Sequence, residues 1–484
     1  MNRCKTCTPR KFIKIEETKT LKRRLGSSFS YCRKMLLQWD KFLAFFTLKL
    51  LQKNKFIIIT LILCGGGFVV KILSFIIKIL YTRILGTEGI SLYSLIMPFF
   101  SLMVTIAGFG MPQAISKLIA EGKTRSRKII EQSIIFLLIL NFICVILIIL
   151  SSNFISTTLL HEPRTKVLII AASLAMPNMA LACTLKGYFY GKQRMLPNNI
   201  SNCIEQTIRL LFIIFILPNL VKKNLVLGIM SFLLLNIVTE TASIITFLIL
   251  LPKNAKLKLT SISYSPPIFK ELFKSSMPLV SSRIIGNIGY FFEPIILSNT
   301  LLYIGYSSSF FVLEYGIYNS YSLALLLMPS FLIQAIGTSI IPEVSKFYSQ
   351  KKLNLVRLRT KQAIFISSFI GLITVIFVTI FRKFLLGLIY NTNLGANYIL
   401  ALSPFFTFYY LEAPISSILQ GLGYGSYTLK TTTIGVFLKL ASLFIFSLLH
   451  IGLYGLVISE ALNIFFVVFK NGSKLKSILK ENTL

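Results

Sequence analysis

Apolar positions along the chain fall in long unbroken stretches, such as SIIFLLILNFICVILIIL (133–150) and FLLLNIVTETASIITFLILL (232–251), parted by short polar segments rich in Lys and Arg. Each stretch is long enough to cross a ~30 Å hydrocarbon layer as a helix rising about 1.5 Å per residue. Barrel strands would be shorter and would alternate polar with apolar positions. The pattern predicts an all-α, polytopic membrane protein with twelve spans. They lie near 56–82, 90–116, 129–151, 166–186, 197–218, 225–251, 272–297, 315–341, 361–381, 396–420, 428–449 and 452–470.

The loops then divide by charge. One side holds Lys117, Lys123, Arg125, Arg127 and Lys128; Lys186, Lys192 and Arg194; Lys253 through Lys274; Lys346 through Lys361; and Lys430. The other holds only Arg83, Arg164, Lys166, Lys222, Lys223, Arg382 and Lys383. Lys and Arg beside spans stay in the cytoplasm, so both termini are expected to face it.

Composition agrees. Of 484 residues 55% are hydrophobic, and the mean hydropathy is +0.76, more apolar surface than a soluble chain can bury. The net charge of +35 is concentrated beside spans and in residues 1–55, which carry fifteen Lys+Arg against three acids. That placement favours anionic phospholipid headgroups over nucleic acid. Within it, MLLQWDKFLAFFTLKLLQK (35–53) sets Leu36, Trp39, Leu43, Phe46 and Leu50 at helical spacing, as for a helix lying in the interface. A disordered tail is the plainer reading of the same segment. The first apolar run lies too far from residue 1 for a cleavable signal peptide. The expected domains are this extension (1–55), a first lobe (56–251), a linker (252–271), a second lobe (272–470) and a basic tail (471–484).

Cysteine and cofactor chemistry add little. Cys64, Cys144, Cys183 and Cys203 fall in or beside spans, where a thiol packs as a small hydrophobe. Cys4 and Cys7 form one CxxC with no second pair, and the chain has two histidines, so no metal site and no cofactor are expected. No GxxxxGK[ST] loop for ATP occurs, so energy would come from an ion gradient, the membrane potential or consumption of product.

The chain repeats itself. GMPQAISK (110–117) is echoed by IPEVSK (341–346), Tyr93-Ser94-Leu95 by Tyr321-Ser322-Leu323, and Met97-Pro98 by Met328-Pro329. LKGYFYG (185–191) is echoed by LQGLGYG (419–425), and LNI at 235–237 by LNI at 462–464. The matches keep their order at offsets of 227 to 234, which predicts two pseudo-symmetric six-helix lobes around a central cleft. Six spans is an even number, so both lobes point the same way, and rocking them would open the cleft to each side in turn.

Residues 71–122, with Arg83-Ile84-Leu85-Gly86, Glu88-Gly89 and then GMPQAISKL, resemble the polysaccharide-transport family of the multidrug/oligosaccharidyl-lipid/polysaccharide exporter superfamily, in its stage V sporulation B branch. ILQGLGYG (418–425) resembles that family's glycine-rich turn in the second lobe, and the similarity runs over roughly residues 56 to 475. The resemblance implies a MATE-like fold. It also implies a flippase for undecaprenyl-linked cell-wall precursors, used for peptidoglycan or spore cortex. The extension before residue 56 departs from the family's pattern. Both the sporulation protein and a paralogue for another lipid-linked glycan are compatible with the residues.

Ionisable side chains inside spans are costly and mark pathways. Lys71, Ser74 and Lys78 form one polar stripe on the first span, and aligning the seventh span on the first, KILSF (71–75) against RIIGN (283–287), sets Lys71 against Arg283. With Arg83 at the end of that span, these cations are expected to receive a pyrophosphate, although Lys71 could equally snorkel or pair with an acid. Asn198, Asn202, Glu205 and Arg209 share one face of the fifth span, a candidate groove for sugar hydroxyls or a self-neutralising pair, with Lys439 in the place corresponding to Glu205. Glu293, Glu412 and Glu460 are single acids within spans and candidates for ion coupling. Prolines 98, 278, 329 and 404 permit kinks.

Other readings compete. A drug/cation:ion antiporter of the same fold would want carboxylates in its first lobe, whereas Asp40, outside the spans, is the one aspartate in the chain. An outer-face glycan polymerase would need acid–base residues in an outer loop, and 298–314 offers one acid and no base. A non-transporting scaffold working with cell-wall synthesis proteins stays open.

Overall fold

The computed structural model describes residues 55–121, 126–192, 194, 196–252 and 266–481. The expected interfacial helix at 35–53 and most of the expected linker, at 253–265, lie outside the described residues. Residues 55–68 are helical, and Val69–Leu484 form one compact unit.

Among the described residues there is no strand. In chain order the helices are α1 (Lys55–Gly108), α2 (Met111–Glu121), α3 (Ser126–Phe154), α4 (Thr165–Ser173), α5 (Met176–Gly191), α6 (Leu196–Phe215), α7 (Leu217–Lys223) and α8 (Leu225–Leu250). The second half continues with α9 (Pro266–Tyr303), α10 (Ser308–Leu326), α11 (Ser330–Ser349), α12 (Leu353–Ile380), α13 (Arg382–Tyr390), α14 (Ala396–Gly421), α15 (Gly425–Ser447) and α16 (Tyr454–Glu481).

α1 is two helices meeting at Gly86, whose backbone (φ 64, ψ −173) lies in a region that only glycine takes easily. The break is what the sequence expects between its first two spans. By length and composition, seven described helices are apolar enough to cross a membrane, or up to nine if each bent pair is one span. The expected count of twelve is not reached, for physical reasons. Val70–Ile119 counts once although Gly86 divides it. α9 and α14, of 38 and 26 residues, carry Asn287, Glu293, Ser403 and Glu412, which dilute their apolarity. At the other end, the last helix does not stop near 470 but runs on to Glu481, with Asn471, Leu475 and Ile478 buried.

The burial pattern is inverted relative to a soluble bundle. α3 buries Glu131, Gln132, Ser133 and Asn141 while Phe142 and Leu150 stand 66% and 75% exposed. Asn141 donates from Nδ2 to the Ala107 carbonyl at 3.2 Å and to the Leu137 carbonyl at 2.7 Å, so its N–H groups are held inside the protein while the apolar face is left for lipid. Tyrosines fill the core of the second half, with Tyr315, Tyr318, Tyr321 and Tyr410 all fully buried.

The repeated motifs make corresponding contacts. A Cβ on Gly187 would stand 3.0 Å from Pro112, in GMPQAISK, and one on Gly421 would stand 2.9 Å from the Ile341 carbonyl, in IPEVSK. In each half, glycine lets the helix of the LxG motif lie directly on the helix of the Ser-Lys motif. The duplication read in the sequence is a duplicated helix–helix contact.

Candidate functional site

A cavity of about 620 Å³ lies between residues of the two halves. The first half contributes Ser74, Lys78 and Tyr81 before the Gly86 break, Tyr93 and Ser94 after it, Gln206 and Arg209 from α6, and Phe232 from α8. The second half contributes Tyr290 and Glu293 from α9, Asn319 from α10, Tyr409 from α14, Lys439 from α15 and Glu460 from α16. Tyr81 stacks on Phe232 at 4.1 Å between ring centroids, which fixes the wall beneath Lys78.

Lys78 stands one turn beyond Ser74 and is exposed to the cavity, with no hydrogen bond or ion pair to another described residue. Arg209 donates from Nη2 to Asn236 at 2.9 Å and to Thr239 at 3.4 Å, both neutral, and its buried Nε finds no acceptor. The rest of the polar face of α6 lies behind Arg209 and off the cavity wall. Glu205 is buried, 3.8 Å from Lys186 Nζ, with Ser201 donating to it at 3.4 Å. Asn202 is half-buried, and the buried amide of Asn198 has no partner.

On the opposite wall Lys439 Nζ meets Glu293 at 2.7 Å and Glu460 at 2.5 Å, and Tyr315 donates its hydroxyl to Glu293 at 3.2 Å. Lys439 and Glu205 thus correspond in the repeat without touching. Two of the three candidate coupling acids share one internal cation. The sequence alone had no signal for this triad, since its members sit on three helices with no common spacing. Glu412 lines a separate pocket of about 270 Å³.

Arg83 lies elsewhere again. Its Nε donates to the Ile389 carbonyl at 2.8 Å and its Nη2 to the Leu388 carbonyl, so it caps α13 across the two halves. Carbonyls at a helix C-terminus lack intrahelical donors and carry partial negative charge, which a guanidinium satisfies. Arg83 also borders a neighbouring pocket of about 500 Å³ with Thr87, Tyr321 and Tyr390. Further ties join the halves. Ser94 bonds Ser320, Ser91 donates to the Leu313 carbonyl at 3.3 Å, and Ser308 donates to the His161 carbonyl at 2.6 Å. Beside them Arg164 bridges Glu88 at 2.6 Å and Glu162 at 2.7 Å, and its hydrogen bond to Glu162 holds its pKa above the usual arginine range.

Lys71 and Arg283 are exposed and do not line the central cavity. Arg283 reaches the amide oxygen of Gln113, assigned facing it, at 3.0 and 3.3 Å. The structure therefore gathers Lys78 and Arg209 on one wall and leaves Lys71, Arg83 and Arg283 outside it.

These features define a multi-pass α-helical membrane protein of the MATE transporter fold. The inward-facing conformation of a multidrug resistance MATE family transporter of the MOP superfamily superposes with a TM-score of 0.68 at 17% identity, over 85% of this chain and 96% of that one. The outward-facing conformation of such a transporter gives 0.54 at 20% identity, over 86% and 94%. The chain belongs to the polysaccharide biosynthesis protein family, whose model matches residues 58–348, and the MatE model matches 294–445. It is similar to stage V sporulation protein B of Bacillus subtilis (strain 168), 29% identical over 82% of this chain and 78% of that protein. The lipid II flippase MurJ of the same organism is 21% identical over 79% and 75%.

Proposed function

We propose that this protein moves undecaprenyl-pyrophosphate-linked cell-wall glycan precursors, of the lipid II kind, across the cytoplasmic membrane by alternating access. The observation that carries the reading is the charge of the cavity wall. The first half presents Lys78 and Arg209 there and no carboxylate, while Glu293 and Glu460 are both engaged by Lys439. Two cations without carboxylate partners suit a pyrophosphate, whose oxygens accept several charge-assisted hydrogen bonds. Asn319, Gln206 and the tyrosine hydroxyls supply neutral donors and acceptors for sugar. The names of two relatives, a sporulation protein and a lipid II flippase, fit a role in peptidoglycan or spore cortex synthesis.

In this reading residues 56–251 and 272–470 rock as lobes, and the Arg83 contacts break and re-form in each cycle. Both termini face the cytoplasm, the extension 1–55 rests on anionic phospholipid, and cell-wall synthesis proteins act next to the exported product. The MatE match over 294–445 favours a drug/cation:ion antiporter as the second reading. Such a protein would want free carboxylates on the wall, and both acids there are engaged by Lys439. The test is flipping of labelled lipid II in proteoliposomes, beside other undecaprenyl-linked glycans and a cationic drug. Protein-dependent flipping of the pyrophosphate lipid is expected, and transport of the drug alone would overturn the proposal.

A further inference from the structure

The pocket of about 500 Å³ that Arg83 borders shares a wall with the central cavity, and the shared residue is Thr82. Thr82 is 2% exposed, and its hydroxyl has no partner among the described residues. A buried hydroxyl left without a hydrogen bond is costly, and an occupant of either space would satisfy it.

This second pocket is polar but close to neutral. Its hydroxyls come from Thr82, Thr87, Tyr321 and Tyr390, and Asn391 adds an amide. The Tyr390 hydroxyl and the Asn391 side chain make no hydrogen bond to another described residue. No carboxylate lines the pocket, and Arg83 is the one charged residue on its wall. That charge is already engaged. Nε and Nη2 donate to the Ile389 and Leu388 carbonyls, at the helix end that carries roughly half a negative charge. An anion would therefore meet only part of a cation here. A polyhydroxyl ligand would meet groups that both donate and accept. The rings of Tyr321 and Tyr390, 5.2 Å apart at their centroids, add an apolar wall for the C–H face of a pyranose. The size also suits, since small-molecule sites measure roughly 300–1,000 Å³.

Position ties the pocket to the cations. Thr82 lies one turn beyond Lys78 on α1, about 6 Å along the axis, and the Gly86 break lies about 12 Å along. A pyrophosphate at Lys78 would thus carry its first sugars past Thr82 toward the pocket. We propose that this pocket binds a neutral sugar unit of the glycan through the hydroxyls of Thr82 and Tyr390 and the Asn391 amide. The pyrophosphate stays at Lys78 and Arg209, so the inference rests on the flippase reading of the central cavity. Affinity then comes from the sugar as well as from the charged linkage.

The test is equilibrium binding of two lipids to the purified full chain in detergent: lipid II, and undecaprenyl pyrophosphate without sugars. Tyr390→Phe/Asn391→Gly removes two hydrogen-bonding groups but keeps the ring and the left-handed backbone at Asn391 (φ 56). It is expected to bind lipid II about tenfold more weakly and undecaprenyl pyrophosphate unchanged. Thr82→Val, an isosteric change, should show the same split and serves if the double variant does not fold. Lys78→Ala/Arg209→Ala should weaken both lipids. Equal losses for the two lipids in the pocket variants, or no loss, would overturn the sugar site and leave the flippase reading standing. A wild type that binds neither lipid would instead sink the flippase reading. Thiol labelling of Thr392→Cys, in a cysteine-free background, then decides the pocket by itself. Free N,N′-diacetylchitobiose should slow that labelling and inorganic phosphate should not. Protection by phosphate alone, or by neither, would overturn the assignment.

Discussion

Lys439 Nζ lies 2.7 Å from Glu293 Oε2, binding α15 to α9 at the wall of the central cavity. With Glu460 at 2.5 Å the lysine serves two carboxylates, so its removal strands both. Breaking a buried pair by deleting one partner costs about 3–5 kcal/mol, whereas replacing all members by neutral groups is often near neutral. Lys439→Met should therefore destabilise the protein strongly, and adding Glu293→Gln and Glu460→Gln should restore most of the loss. Unfolding in detergent measures both, and a single mutant as stable as the wild type would refute the triad.

The bend at Gly86 gives a prediction that packing cannot mimic. A Cβ there would meet nothing within 4 Å, yet the backbone sits at φ 64, ψ −173. Gly86→Ala should cost about 1–3 kcal/mol from conformation alone. Gly286→Ala, in regular helix with equal space, should be neutral or stabilising by about 0.5–1 kcal/mol. Equal effects at the two sites would contradict the account.

These two sites also mark what could be read from the chain. The apolar helices, the break between the first two expected spans and the repeated motifs were legible, because each is written in local periodicity or in an ordered repeat, whereas the count of twelve spans is not reached among the described helices. Gly187 and Gly421 could be matched as motif partners, though their contacts with the Ser-Lys helices emerged only in three dimensions. The cavity was less legible. A basic residue inside a span signals cost but not direction, so Lys71 and Lys78 read alike although only Lys78 lines the cavity. Arg209 and Glu205 read either as one groove face or as a self-neutralising pair, and in the structure they part: Arg209 bonds Asn236 and Thr239 while Glu205 turns to Lys186. Such choices depend on helix rotation and on partners far along the chain.

Arg83 holds the carbonyl of Ile389 at 2.8 Å and that of Leu388 across the two halves. A hydrogen bond from a charged donor contributes about 1.5–3 kcal/mol, so losing it should shift the opening equilibrium there by roughly tenfold or more. In a cysteine-free background, Thr392→Cys should react correspondingly faster with a hydrophilic thiol reagent once Arg83 is replaced by Ala. An unchanged rate would mean that the cap does not hold the halves together.

The distribution of Lys and Arg predicts which ends face the cytoplasm. Leu355→Cys should be labelled only from inside, and Tyr303→Cys, 85% exposed at the opposite ends of the helices, only from outside. Reagent reaching residue 355 only from outside would invert the topology.

The central claim is that Lys78 and Arg209 receive the pyrophosphate, and equilibrium binding of lipid II to the purified protein tests it most directly. Two charge-assisted contacts of about 1.5–3 kcal/mol each predict that Lys78→Ala/Arg209→Ala binds at least about 100-fold more weakly. Lys71→Ala/Arg283→Ala, outside the cavity, should change the affinity little. Wild-type affinity in the Lys78→Ala/Arg209→Ala protein, with the loss appearing instead in Lys71→Ala/Arg283→Ala, would contradict the account.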